Sequence, residues 1–132
     1  MFGMQSLDGL DPSTVKKVHA AARVAAARGM PVCEASNGSG YLVDIAKGPL
    51  GLINREYWDP ARLNEHAFNL MNGLRLNVFH VAGTAYAMPS DVDTYGDMEA
   101  RASHNDHNGS PDAAMRHAIL SLCEMLDGDH AI

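Results

Sequence analysis

The chain has 132 residues and a formal net charge of -6, with 46% apolar and 6% aromatic residues. That length fits one domain spanning residues 1–132, and the acidic balance argues against a protein that coats nucleic acid by releasing counterions. The sequence lacks the run of about 18 apolar residues that a transmembrane helix needs, and its start does not resemble a signal peptide. We therefore expect a soluble, intracellular protein with no membrane partner.

A capping side chain followed by proline opens the first predicted helix at Asp11 and Pro12. The carboxylate can accept hydrogen bonds from unpaired N–H groups, and proline at the first helical position loses no bond. The segment ends at Gly29, because glycine readily adopts the left-handed conformation that closes many helices. Its apolar side chains recur at helical spacing and predict one buried face, made of Val15, Val18, Ala21, Ala22 and Ala25.

The next segment, residues 31–46, predicts two short strands joined by a flexible connection at Asn37–Gly40. Residues 46–59 follow without a clear apolar period, and they predict an ordered loop that Tyr57 and Trp58 hold in place.

The same start signal at Asp59 and Pro60 predicts a second helix that ends at Gly73. Its predicted buried side consists of Ala61, Ala67, Phe68 and Met71. Residues 74–83 then alternate apolar and polar side chains, which predicts a half-buried strand. Gly83 and Thr84 turn the chain into a second strand over residues 85–89, and residues 97–104 predict a weaker one.

A third start signal at Ser110 and Pro111 opens a helix that we expect to end at Gly128. Its predicted buried face consists of Met115, Ile119, Leu122, Cys123 and Leu126. The element order is α-β-β-α-β-β-β-α. This order predicts an α+β fold, similar to an α-β-α sandwich, with three helices packed on an antiparallel sheet.

The side chains that carry reactive chemistry form no recognised catalytic pattern. Cys33 and Cys123 lie far apart and are expected to be free, buried thiols rather than a disulfide. His104, His107 and His117 could ligate Zn²⁺, although the spacing is not a known zinc motif. The alternative is a solvated loop that runs into the third helix. We predict no cofactor and no enzymatic activity, with a metal site at His104 and His107 as the weaker alternative.

The arginines suggest a binding site for an anion. Arg116 is predicted at the edge of the apolar face of the third helix, where its guanidinium could clamp a carboxylate or phosphate. Its stem could instead cover apolar surface while its head stays in water. Arg28 and Arg101 lie on elements expected to pack nearby, and Tyr86 or Tyr95 could stack on a flat ring. We expect alanine at position 116 to abolish ligand binding at little cost in stability.

Two stretches resemble the phage ABA-sandwich family of small accessory proteins. They are "DPARLNEHAFNLMNGLRLNVFHVAGTAYAMPSD" and "GSPDAAMRHAILSLCEMLDGD", and "VAAARGMPV" is similar to the family's first helix and strand. The residues that match its closing motif are Gly109, Ser110, Pro111, Ala113, Ala114, Met115, Arg116, Gly128 and Asp129. The chain departs from the pattern at Ala85 and Tyr86, where the family usually has a tryptophan, and in the "SHNDHN" loop.

The resemblance implies a phage-encoded protein that acts in the host cell cytoplasm against an antiviral defence. Arg116, Arg28, Arg101 and Tyr86 would bind and sequester an anionic, nucleotide-like immune signal in a homo-oligomer, without catalysis. A second hypothesis is a protein inhibitor of a host defence complex that takes no small ligand. A third is a metal-dependent enzyme built on His104, His107 and His117.

Overall fold

The structure, a computed structural model, describes residues 7, 9–35, 40–47, 50, 52–91 and 98–130. These residues form three α-helices, six strands and one short 3-10 turn. In chain order the elements are α1 (Pro12–Ala27), β1 (Val32–Glu34), β2 (Tyr41–Lys47), β3 (Leu52–Tyr57), α2 (Asn64–Leu74), β4 (Leu76–Val81), β5 (Thr84–Pro89), β6 (Ala100–Ser103), the 3-10 turn (Asn105–His107) and α3 (Pro111–His130).

The α+β fold class is confirmed, but the strands form two sheets rather than one. The first sheet is β1-β2-β3 and the second is β4-β5-β6, and both are antiparallel. Each sheet is a meander of three consecutive strands, and α2 separates the two sheets in sequence. Helix α3 packs on α1 and on all three strands of the second sheet, while α1 also contacts β1.

The prediction of a loop at residues 46–59 was wrong, because Leu52–Tyr57 form β3. Every residue of β3 pairs with β2, so backbone hydrogen bonds define this strand although its sequence has no period-2 pattern. Arg55 also forms a cross-strand ion pair, in which its Nε lies 2.7 Å from Asp44 Oδ1. The two strands predicted in residues 31–46 are confirmed as β1 and β2, and residues 36–39 of their connection lie outside the described residues.

The start signals of the first and third helices are confirmed. Thr14 N donates to Asp11 Oδ2 at 3.1 Å, and Ala113 N donates to Ser110 Oγ at 3.1 Å. The signal at Asp59 was misleading, because α2 begins at Asn64 without a side-chain cap. The carboxylate of Asp59 accepts from Arg62 Nε at 2.7 Å, so this side chain closes a turn before the helix.

Two of the three predicted glycine helix ends were wrong, since Gly73 and Gly128 lie inside α2 and α3. Helix α2 ends instead on Arg75, whose φ is 56°. A Cβ on Gly73 would lie 2.6 Å from Sδ of Met30, so a larger residue there would require the flexible Met30 side chain to shift. Gly29 does follow α1 in the left-handed region, with φ at 79°.

The core lies between α3, α1 and the inner faces of the two sheets. The side chains of the second sheet that face α3 are small. They are the buried alanines Ala85, Ala87, Ala100 and Ala102. Small side chains let the helix approach the sheet closely. The predicted buried face of α3 is confirmed at all five positions. Phe68 on α2 is 42% exposed, however, so its predicted burial was wrong.

Candidate functional site

The face of the second sheet opposite α3 carries the larger side chains and forms the candidate site. We call it the outer sheet face and define it by Phe79, Val81, Tyr86, Met88 and Arg101. Successive side chains of a strand point to opposite faces of the sheet. Because Ala85 and Ala87 of β5 are buried on the α3 side, Tyr86 and Met88 point to the other side. Phe79 is 41% exposed and Val81 is 53% exposed, so this face presents apolar surface to solvent.

The tight β4–β5 turn brings the aromatic side chains of this face together. Ala82 and Gly83 both have positive φ values, 50° and 76°, which suit a two-residue hairpin turn. The resulting register places Phe79 opposite Tyr86, and the pairing of β5 with β6 places Tyr86 opposite Arg101.

Tyr86 is therefore the centre of a stack of three side chains. Its ring lies 5.1 Å from the ring of Phe79 between centroids, at an interplanar angle of 10°. Arg101 Cζ lies 5.3 Å from the Tyr86 ring centroid, which is within the range of a cation–π contact. Two of the four residues that the sequence predicts as ligand-binding, Tyr86 and Arg101, are thus brought together.

Arg101 also has an acidic neighbour, Glu99, which directly precedes β6. Its Nε donates to Glu99 Oε1 at 2.6 Å, and this hydrogen bond raises the pKa of Arg101 above its usual value. The Arg101 side chain is 68% exposed, so solvent screens the ion pair and the pair contributes little to stability. The guanidinium is therefore fully charged, and an anion could compete with Glu99 for it.

Arg116 is placed where the sequence predicts, at the edge of the buried face of α3, and it is half-buried. Its Nε donates to the Ala61 carbonyl at 2.9 Å, and its Nη1 donates to Asn64 Oδ1 at 2.5 Å. Asn64 in turn donates from Nδ2 to Asp112 Oδ2 at 3.0 Å. The guanidinium thus links α3 to the turn before α2. We therefore now expect Arg116→Ala to lower the stability of the fold, rather than to leave it nearly unchanged.

Arg28 lines a cavity of about 510 Å³ together with Arg75, Ser90 and Asp91. Arg28 and Arg75 occupy the C-terminal caps of α1 and α2, where cations offset the negative ends of the helix dipoles. Arg28, Arg101 and Arg116 therefore have three different sets of neighbours in the described residues. Their predicted convergence on one anion receives no support from these contacts.

The histidines at positions 80, 104, 107 and 117 form two separate pairs. His104 Nε2 lies 2.9 Å from Nδ1 of His80 on β4. The ring of His107 lies 4.8 Å from the ring of His117 between centroids. Within the described residues, no group of three or more His, Cys, Asp or Glu side chains is placed to hold a metal ion. The contacts therefore do not assemble the set of His104, His107 and His117.

His117 is kept neutral by its surroundings. Its Nε2 lies 3.2 Å from Lys17 Nζ, and an ammonium group can only donate, so Nε2 accepts. Burial lowers the pKa of His117 below its usual 6.5, and the positive charges of Lys17 and His107 lower it further. The His107–His117 pair lines a cleft of about 340 Å³ that also includes Asp11 and Asp106.

His66 is a buried histidine that links β3 to the turn before α2, and the sequence patterns did not mark it. His66 is 0% exposed, and its Nδ1 accepts from the backbone N–H of Asp59 at 2.7 Å. Its Nε2 therefore carries the proton and donates to Glu56 Oε2 at 3.1 Å. Both ring nitrogens are therefore used in hydrogen bonds within the protein. No local sequence signal marks this residue, since its partners come from β3 and from the turn before α2.

The cysteines have different environments. Both are free, as predicted, but Cys33 is exposed rather than buried. Its position on β1 alternates with the buried Val32, so the side chain points away from the core. Cys123 is fully buried in α3, and this burial raises the pKa of its thiol to about 12.

Comparisons with protein-family models, with curated proteins and with solved structures find no match. The resemblance to the phage ABA-sandwich family therefore stays a prediction, as do the functions that it implies. Among the described residues, no helix is both long enough and apolar enough to cross a membrane. Tyr95, a second aromatic residue considered for ring stacking, lies outside the described residues.

Proposed function

We propose that this chain is a non-catalytic binding protein that captures an anionic, nucleotide-like ligand on its outer sheet face. The observation that carries the proposal is the contact between Arg101 and the Tyr86 ring, with Phe79 stacked on Tyr86. Nucleotides combine a flat base with a phosphate, so they suit a site that combines ring faces with a guanidinium.

Each side chain would have a defined part in binding. A base would stack against the exposed side of Phe79, while Arg101 would pair with the phosphate. The exposed Arg101–Glu99 pair costs little to open, so a phosphate of the ligand can replace the carboxylate. Tyr86 would hold both neighbours in place. Arg116 and Arg28 would have supporting rather than direct roles, because Arg116 bonds Ala61 and Asn64 and Arg28 caps α1.

The test is isothermal titration calorimetry with 3′,5′-cyclic AMP and cyclic di-AMP as probes. We expect Arg101→Ala to weaken binding of the preferred probe at least tenfold, and Phe79→Ala to weaken it as well. Arg55→Ala is the matched control, because Arg55 is also an exposed strand arginine in an ion pair with a carboxylate. Equal losses in Arg101→Ala and Arg55→Ala, or no binding of either probe by the wild type, would reject the proposal.

A protein inhibitor of a host defence complex is the second candidate, and one observation favours it. Phe79 and Val81 together present exposed apolar surface on a chain of net charge -6, which suits a partner with a basic rim. Val81→Asp should then abolish capture of a stoichiometric host protein while nucleotide binding stays unchanged. Capture that survives both Val81→Asp and Phe79→Ser would rule out this face as the partner surface.

The source and assembly of the protein belong to the same proposal. We place it in the host cell cytoplasm as a phage-encoded anti-defence protein, on the strength of the "SPDAAMR" resemblance. A flat face captures a small ligand weakly unless a second surface covers it, which favours a homo-oligomer. Native mass spectrometry measures the number of subunits and any co-purifying ligand together. A monomer that stays monomeric with bound probe would contradict the oligomer.

A further inference from the structure

A second, independent feature of the molecule is the pair of ring nitrogens that meet at His80 and His104. His80 Nδ1 and His104 Nε2 lie 2.9 Å apart, the ring centroids are 5.0 Å apart, and the rings are inclined at 59°. His80 is exposed and His104 is half-buried, so the pair is open to solvent. Their chain positions are 24 residues apart, and no local motif predicts the contact.

The backbone holds the two histidines in this arrangement. His80 follows Leu76 and Val78 at alternating positions of β4, on the side of the sheet that α3 covers. His104 directly follows β6, and its N–H donates to the Gly83 carbonyl in the β4–β5 turn at 2.9 Å. Both rings therefore project from segments that are hydrogen-bonded to β5 or to its turn.

We propose that His80 and His104 together bind a divalent transition-metal ion that prefers imidazole, of which Zn²⁺ is the representative. Two nitrogens bound at about 2.0–2.1 Å to one ion are about 2.9 Å apart at a right angle and about 3.3 Å apart at the tetrahedral angle. To bind one ion, His80 Nδ1 and His104 Nε2 need to move apart by about 0.4 Å at most. A small rotation of either ring is enough for this.

The chemistry of the pair supports the same ion. Without an ion, one neutral imidazole must donate its N–H and the other must accept it. The ion takes the place of that shared proton, which moves to the other nitrogen of the donor ring, so both neutral rings offer a lone pair to the ion. Water completes the coordination. Imidazole pairs select Zn²⁺ over Mg²⁺, which prefers oxygen ligands and dehydrates reluctantly. A site with two protein ligands exchanges its ion readily, so it would tie the β4–β5 hairpin to the 3-10 turn reversibly.

The experiment is calorimetric titration of tag-free, chelator-treated protein with Zn²⁺ and, separately, with Mg²⁺. We expect one Zn²⁺ per chain and no Mg²⁺ binding. His80→Ala and His104→Ala should each weaken Zn²⁺ binding at least tenfold. The double variant should be no weaker than either single variant, because losing one ligand already destroys the site. His107→Ala is the matched control, since His107 belongs to the other histidine pair.

A second readout avoids substitutions altogether. Zn²⁺ should protect His80 and His104 of the wild type from modification by diethyl pyrocarbonate, as measured by peptide mass spectrometry. The proposal is overturned if either alanine variant binds Zn²⁺ within twofold of the wild type. It is equally overturned if His107→Ala loses as much affinity, or if Zn²⁺ leaves both histidines fully reactive. None of these outcomes bears on nucleotide capture, because His80 and His104 are not part of the outer sheet face.

Discussion

Replacing Arg116 with alanine should destabilise the fold, whatever it does to ligand binding. The substitution removes the two hydrogen bonds to the Ala61 carbonyl and to Asn64 Oδ1. A hydrogen bond from a charged donor contributes about 1.5–3 kcal/mol when it is well buried. Since Arg116 is half-buried, we take about half of that for each bond and expect a loss of about 2 kcal/mol in the free energy of unfolding.

The assay is urea unfolding at neutral pH, with Arg101→Ala as the control for loss of an arginine. Arg101 is mostly exposed, so its removal should lower stability much less than Arg116→Ala does. A double-mutant cycle with Asn64→Ala isolates one bond and should give a coupling of about 1 kcal/mol.

Equal stability losses in Arg116→Ala and Arg101→Ala would refute this reasoning. They would show that the guanidinium of Arg116 is effectively solvated and does not link α3 to the turn before α2. A coupling near zero between positions 64 and 116 would refute the specific contact even if Arg116→Ala is destabilising. In that case, loss of the bond to the Ala61 carbonyl, together with lost packing of the arginine stem, would account for the change.

Three further predictions concern pH, thiol reactivity and the hairpin. Because the folded pKa of His117 is lowered, the unfolded chain takes up the proton first as pH falls below about 6.5. Wild-type stability should therefore drop between pH 7.5 and pH 5.5 by more than that of His117→Gln, and equal drops in urea titrations would contradict this. In the native protein at pH 8, a disulfide reagent should modify Cys33 quickly and Cys123 only on unfolding, and two fast thiols would be inconsistent with the burial of Cys123. Gly83→Ala should lower the free energy of unfolding by about 1 kcal/mol, because residue 83 has a left-handed backbone that disfavours a Cβ, although no neighbouring atom would clash with it. Ala82→Gly should not lower it. Thermal melts that rank these two variants in the opposite order would contradict the turn assignment.

The site was predictable in its parts but not in its arrangement. Tyr86 and Arg101 were identified from residue type alone, and strand register then placed them opposite each other. Phe79 was missed, because a phenylalanine in an alternating strand gives no sign of which face is covered. The three arginines were expected to converge. That depends on how the elements pack, and a helical stripe shows only which side of one helix is buried.

The sequence by itself determined the α+β class, the starts of α1 and α3, the paired strands β1 and β2, and the buried face of α3. Those features depend on hydrogen bonds within a few residues and on apolar periodicity, which are local properties of the chain. Only the tertiary structure decided that β3 is a strand, that Asp59 closes a turn, that His66 is buried and that His104 meets His80. The turn at Asp59 depends on Arg62, only three positions away, whereas each of the other three features depends on a partner from a different segment of the chain. No local pattern encodes such a partner, because the approach of two segments is set by the packing of the whole core.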